Sequence, residues 1–195
     1  MTAAVARNFV NMSDTAAAVE RLTPEQISER ARSAVGYHYV HPDTYQVGRE
    51  KVREYAKSSQ FSHPAHFTVE AARAAGYSDL LAPPMLVSVA GIVANRHLFD
   101  DSVIGYGASQ LIQADESMTY HRPVVAGHEL TVHVHVDKYR QVGGFDMFTI
   151  RNEIFSQDDE HLVTFSTTLI GGSPDDATDF GDIAEQIVMH GVMNA

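Results

Sequence analysis

Two histidines three residues apart, His63 and His66, are the side chains of this sequence best suited to acid–base chemistry. They lie in the segment 60–66, which reads Gln-Phe-Ser-His-Pro-Ala-His. An imidazole has an ordinary pKa of about 6.5 and can therefore take up or release a proton near neutral pH. Loop histidines also hydrogen-bond the backbone and shape turns, and we favour that structural role for His63. For His66 the catalytic and the structural interpretations both stay open.

A second pair, His133 and His135, lies in a run of alternating apolar residues, which puts both imidazoles on one face of a strand. Such a pair could bind a metal, but only Asp137 is a carboxylate at a matching offset and no third ligand is evident. A solvated or interface face of a sheet is the better interpretation. We therefore expect no metal and no cofactor, and the absence of cysteine excludes thiolate ligands, disulfides and cysteine nucleophiles.

Composition narrows the class of partner. The chain has 195 residues and a net charge of −11, and its 14 basic residues form no run, which argues against nucleic acid and anionic membranes. The most apolar segment, 83–94, is shorter than the ~20 residues that a membrane span needs. Arg7 and Asn8 interrupt the N-terminus before the apolar core of a signal peptide could form. These observations predict no membrane span and a cytoplasmic location.

Helical patterns dominate the first half of the chain. Thr23, followed by proline and by glutamine at the third helical position, is typical of a capped helix, which we expect to end near residue 34. Further helices are predicted over 48–57 and 69–75, and a short strand over 45–47. The segment 85–98 is apolar nearly all round in its first two turns, which predicts a buried helix.

From residue 109 the apolar residues recur at every second position, in four runs separated by turn-rich segments. Helices followed by long antiparallel strands are typical of an α+β fold, and the wholly apolar helix predicts that the sheet wraps around it. The resulting division is an N-terminal extension with one helix (1–34), one domain (35–172) and an acidic tail (173–195). A last short helix is predicted at 183–189.

This order of elements, together with three motifs, resembles the hot-dog fold of MaoC-like (R)-specific enoyl hydratases. Residues 45–56 are similar to that family's opening Tyr-x-Val-x-Arg-Glu-Lys, residues 120–130 resemble its Pro-Val-x-x-Gly turn between two strands, and residues 82–86 resemble the start of its long helix. Within the family the chain most resembles the N-terminal MaoC-dehydratase type. That type includes the A- and C-type subunits of mycobacterial (3R)-hydroxyacyl-ACP dehydratase.

The resemblance also implies where a catalytic site would lie. In active hydratases of the family an Asp and a His flank a water molecule and act as general base and acid. His66 falls on the family's His, so it is the candidate catalytic residue. Phe61 falls on the Asp, and a phenyl ring can neither take nor give a proton. The family's Asn is replaced by His63.

The other half of the implied site is altered too. The family places a backbone N–H at the start of the apolar helix, aimed at the thioester carbonyl. The residue at that position here is Pro84, which has no N–H, although the N–H of Met85 could substitute if the loop shifts by one residue. The resemblance thus implies a substrate site lined by Phe61, His63, Pro84, Met85 and Leu86.

Three functions stay open. In the first, the chain is a component of a (3R)-hydroxyacyl-thioester dehydratase (a hydro-lyase acting on acyl-ACP or acyl-CoA) and forms the acyl channel. A MaoC-type partner then supplies the Asp/His pair in a heterodimer, with a homodimer as the fallback. In the second, the chain is a self-sufficient hydratase or thioesterase that uses His66. In the third, it is a non-enzymatic acyl-binding or stabilising subunit.

Overall fold

The computed structural model describes residues 22–100 and 103–172; the predicted acidic tail with its last helix, and residues 1–21, lie outside the described part. Four α-helices and six strands follow along the described chain. The helices are α1 (Pro24–Ser33), α2 (Arg49–Ser58), α3 (Val69–Ala74) and α4 (Val87–Asp100), and the strands are β1 (His38–Val40), β2 (Tyr45–Gln46), β3 (Leu111–Tyr120), β4 (Glu129–Val142), β5 (Phe145–Phe155) and β6 (His161–Gly171).

The first helix begins where its capping residues predict. The Thr23 hydroxyl accepts a hydrogen bond from the Gln26 N–H, and the Gln26 side chain accepts one from the Thr23 N–H at 2.8 Å. Ile27 and Ala31 on one face of α1 are buried in the same core as the sheet. The Ser28 hydroxyl also donates to the buried carboxylate of Asp146 on β5, at 2.6 Å. α1 is therefore packed onto the domain that follows it.

The strands form an antiparallel sheet in the order β1-β4-β5-β6-β3, and β2 pairs with the start of β4. The predicted four long antiparallel strands and the additional short edge strand are thereby confirmed. Alternate residues of β5 and β6 point into the core, among them Phe148, Ile150, Ile154, Val163 and Phe165. The edge strand β3 departs from this pattern: a register shift between Gln113 and Asp115 interrupts the alternation, and Ala114 is exposed.

Helix α4 lies against the inner face of this sheet. At Gly91 the approach is so close that a Cβ would lie 2.0 Å from Cζ of Phe165 on β6. One turn further along the helix, the Tyr39 hydroxyl donates a hydrogen bond to the Ala94 carbonyl. Small residues on one face of α4 thus let the helix sit deep on the sheet, and Leu98 near its end is fully buried.

The expectation that this helix is buried on all sides is wrong for the single chain. Ile92 is 65% exposed and Val93 is 44% exposed, and Met85 just before α4 is 43% exposed. The reason is geometric, because one curled sheet covers only the small-residue face and leaves the larger apolar side chains on the opposite face. No helix within the described residues is long and apolar enough to cross a membrane.

Candidate active site

The loop after α2 is fixed by its own backbone. Gln60 adopts a left-handed conformation (φ 59°), which turns the chain, and the Phe61 N–H donates to the Ala56 carbonyl at 2.9 Å. A single 3₁₀ turn follows at Pro64–His66, and the His63 Nδ1 caps it by accepting from the Ala65 N–H at 3.2 Å. This capping contact is the kind of structural role favoured for His63 on sequence grounds.

His66 is almost completely buried, with 4% of its surface exposed. Its Nδ1 lies 2.7 Å from the Leu81 carbonyl oxygen, so Nδ1 carries the proton and donates it to that acceptor. In this tautomer Nε2 keeps its lone pair and can act as a proton acceptor. The aromatic rings packed against the imidazole are those of Phe61 and His63, with centroids 5.6 and 6.1 Å away.

The second wall of the candidate site is the segment before α4 that contains Leu81 and Ala82, and main-chain hydrogen bonds hold it in place. The Leu81 N–H donates to the Ala65 carbonyl at 3.0 Å, and the Ala82 N–H donates to the Val124 carbonyl at 2.9 Å. Leu81 also forms a short antiparallel bridge with Val125. The loop of His66, the segment before α4 and the turn before β4 therefore converge on one point.

A 3₁₀ turn at Pro84–Leu86 connects this segment to α4. Leu86 is buried in the core, whereas Pro84 and Met85 are exposed. The Tyr120 hydroxyl donates a hydrogen bond to the Pro84 carbonyl, and burial raises the pKa of this phenol well above its usual range. An open groove of about 350 Å³ lies here, lined by Leu81, Ala82, Pro84, Tyr120, His121, Arg122, Pro123 and Val124.

A second groove, named here the α4 groove, runs between α4 and the strands β3 and β6. It measures about 240 Å³ and is lined by Met85, Ser88, Ile92, Asn95, Phe99, Gln113, Glu116, Phe165, Thr167 and Leu169. Met85 therefore faces the α4 groove, while Phe61 packs against His66. That both residues line one cavity stays a prediction.

Sequence reasoning missed Tyr120 and the polar lining of the α4 groove. Tyr120 is the first residue of the segment 120–130 that resembles the family's turn between two strands, and this position was the available signal. Asn95 and Glu116 gave no comparable signal, because nothing in the sequence indicates which strand borders which face of a helix.

The histidines on the outer face of the sheet form a separate cluster. His38 stacks on His135 with a centroid distance of 4.3 Å and lies 5.7 Å from His133. His135 Nε2 is 3.1 Å from a Glu153 carboxylate oxygen. Within residues 22–100 and 103–172, no group of three or more histidine or carboxylate side chains is arranged to hold a metal ion. The cluster is a group of ring contacts on the sheet surface, in which His38 stacks on His135 and is tilted against His133.

Comparisons with known proteins point to one family. The family model described as the FAS1-like dehydratase domain region matches residues 33–165. A curated UPF0336 protein of Saccharopolyspora erythraea is 35% identical over 139 residues, which is 71% of this chain and 89% of that protein.

Solved structures extend the match to three dimensions. A MaoC-like dehydratase is 38% identical with a TM-score of 0.70, over 75% of this chain and 44% of that one, so this chain spans less than half of that protein. The C-terminally truncated HadBC complex of Mycobacterium tuberculosis, a (3R)-hydroxyacyl-ACP dehydratase, is 31% identical with a TM-score of 0.66, over 71% of this chain and 97% of that one. This chain therefore has the hot-dog fold and belongs to the MaoC-like family of FAS1-type dehydratase domains.

Proposed function

We propose that this chain is one subunit of a (3R)-hydroxyacyl-thioester dehydratase, acting on acyl-ACP or acyl-CoA, in which a partner subunit supplies the catalytic Asp and His. The chain itself forms a wall of the acyl channel. The observation that carries the proposal is the phenyl ring of Phe61, which is packed edge-on against the imidazole of His66 at 5.6 Å.

Dehydration of a 3-hydroxyacyl thioester removes a proton from the α-carbon and expels the β-hydroxyl as water. Both events need a group that can transfer a proton, and an activated carbonyl lowers the barrier to the first. His66 offers one such group, but the position beside it is occupied by a hydrocarbon ring. At the start of α4, Pro84 has no N–H with which to polarise a thioester carbonyl. The residues of this one chain thus suit substrate contact better than proton transfer.

The apolar side of α4 supplies the channel in this proposal. Five apolar side chains line the α4 groove, Ile92 among them, and the exposed Val93 continues the apolar surface outside it. A long hydrocarbon chain is a fitting ligand for such a surface, and a second hot-dog subunit packed over it would close the channel from water. HadBC, whose structure this chain resembles, is itself a complex of this kind of dehydratase.

The direct test is co-expression with a MaoC-type chain from the same organism that retains an Asp and a His in its catalytic loop. We expect hydration of crotonyl thioesters by the mixture and not by either chain purified alone. The partner with its Asp replaced by Asn is the control, and its complex should assemble but show no activity. Full activity of the partner without this chain would contradict the proposal.

A second candidate function is favoured by the tautomer of His66. With Nδ1–H bound to the Leu81 carbonyl, Nε2 is available as a base, so a self-sufficient hydratase or thioesterase is chemically feasible. Activity of the purified chain that His66→Ala abolishes would support this function and exclude the first. Binding of acyl thioesters without activity, alone and in the mixture, would instead support a non-enzymatic subunit.

A further inference from the structure

The α4 groove is not uniformly apolar. Along one side it carries Met85, Ile92 and Phe99, but its lining also contains Ser88, Asn95, Gln113, Glu116 and Thr167. A groove for an unsubstituted hydrocarbon gains nothing from such side chains, because each one must give up water when the chain enters. The polar residues therefore indicate something about the ligand that the apolar ones do not.

Asn95 is the most informative of them. Only 9% of its surface is exposed, and its Oδ1 is buried without a hydrogen-bond partner among the described residues. A buried amide left unpaired is unfavourable, and native structures contain few of them. Since Asn95 lines the groove, a ligand bound there can supply the missing hydrogen bond.

The wall of the groove formed by β3 and β6, opposite α4, further restricts which chemical group of a ligand could bind there. Glu116 on β3 accepts hydrogen bonds at one carboxylate oxygen, Oε2, from the Gln113 side chain at 3.2 Å and from the Thr167 hydroxyl at 3.3 Å. The unpaired amide oxygen on one wall and the carboxylate on the other are both acceptors, so they fit a ligand group that donates, such as a hydroxyl that gives its proton to Asn95 Oδ1. A ketone, which only accepts, would meet acceptors on both walls.

We infer that the acyl chain bound by this subunit carries a hydroxyl group deep in the α4 groove, where it donates a hydrogen bond to Asn95 Oδ1; this rests on the proposed function as the acyl-channel subunit. The position of this hydroxyl along the acyl chain follows from the length of the helix between Met85 and Asn95. Asn95 lies ten residues after Met85, which is about 15 Å along a helix axis. An extended saturated chain spans that distance with about twelve carbons, given the ordinary length of a C–C bond.

Two thioesters that differ only in this group provide the test. The probes are dodecanoyl-CoA and 12-hydroxydodecanoyl-CoA, neither of which has the 3-hydroxyl needed for dehydration, so calorimetry measures binding alone. We expect the full chain, purified alone and with its co-expressed partner, to bind the hydroxylated probe at least about tenfold more tightly. Asn95→Leu, which removes the acceptor, should reverse the preference.

The matched control is Asn152→Leu, the same substitution at a buried asparagine on β5 that is outside the lining of the α4 groove. It should leave the preference for the hydroxylated probe unchanged. Equal affinity of the wild-type protein for the two probes would overturn the inference and leave the acyl-channel proposal intact. Failure of both probes to bind, alone and in the complex, would overturn the two proposals together.

Discussion

Phe61 is the position at which a single substitution could supply the missing proton-transfer group. It is 37% exposed, so a carboxylate at this position would not be forced into the core. We predict that Phe61→Asp gives the purified chain a measurable rate of crotonyl-thioester hydration, because it places a proton-transfer group beside His66.

The matched control is Phe61→Asn, which has the same shape as the Asp variant but no titratable group. Hydration by the Asp variant and not by the Asn variant would agree with a site that lost its acid–base partner. Equal rates for the two variants would show that the gain comes from space rather than from proton transfer, and would contradict the interpretation.

Asn152 makes a prediction about stability. It is fully buried on β5 between Val134 and Phe165, and both polar atoms of its amide lack a hydrogen-bond partner among the described residues. Replacing it by leucine, which has the same number and branching of side-chain heavy atoms, should raise the free energy of unfolding by about 1–3 kcal/mol. Urea denaturation would measure the change, with Asn152→Asp as the opposite case. A leucine variant less stable than the wild type would reveal a partner for this amide.

At the scale of elements, Gly91 sets how closely α4 approaches the sheet. Gly91→Ala would drive a Cβ against the Phe165 ring, so we predict a loss of about 1–3 kcal/mol of unfolding free energy, even though alanine is the better helix former. A double-mutant cycle with Phe165→Leu checks the mechanism, since the smaller side chain should recover part of the loss. Strict additivity of the two substitutions would mean that the contact does not determine the packing.

The stacked histidines on β1 and β4 predict a dependence of stability on pH. Burial lowers the pKa of His133 and His135, and the neighbouring His38 lowers both pKa values further. Arg151 also lowers the pKa of His135, whereas Glu153 raises the pKa of both histidines. The folded protein therefore holds these rings neutral, while the unfolded chain binds their protons at the ordinary pKa of about 6.5. This contribution to stability is present above that pH and is lost as the pH falls below it.

Urea titrations between pH 7.5 and 5 would measure this slope. The variant with both His133→Gln and His135→Gln should show a flatter decline in unfolding free energy than the wild type. An unchanged slope would mean that other groups account for the loss of stability in acid.

Most elements could be predicted from the sequence because their signals are local. The Thr23 capping box fixes the start of α1, and the alternating residues of β5 and β6 are buried as the pattern indicates. The bulge of β3 and the exposure of Ile92 could not be predicted. Strand register is decided by the pairing partner, and the coverage of a helix depends on how many layers lie over it.

The candidate site was predictable to a smaller extent. The motif places Phe61 and His66 in one loop, and the structure brings their rings into contact. The Tyr120–Pro84 hydrogen bond, and the groove that Asn95 and Glu116 both line, involve residues more than 20 positions apart, and such long-range neighbours follow only from the fold.

At the scale of the whole molecule, the exposed apolar face of α4 predicts assembly. We expect a heterodimer in the cell and a homodimer when the chain is expressed alone, with a total buried area above ~2,000 Å², as in permanent interfaces. Light scattering and pull-down from the native host would measure the two states. A stable monomer at micromolar concentration that recovers no partner would contradict this prediction.

Substituting a charged residue on the apolar face of α4 tests whether the interface lies there. Ile92→Lys should convert the homodimer to monomer, because it places an unpaired charge in the centre of an apolar contact. Val142→Lys at the tip of the β4–β5 hairpin is the matched control, since this valine is also exposed (51%) but lies on a different part of the molecule.

The exposed apolar face of α4 also affects the abundance of this protein in the cell. Copies that are not bound to a partner expose Ile92 and Val93 to chaperones and proteases, as unassembled subunits with apolar faces do. If the interface is permanent, the abundance of this chain should follow the synthesis of its partner rather than its own. Deleting the partner gene would then deplete this protein without any change in its messenger RNA, and restoring the partner would restore both in equal stoichiometry.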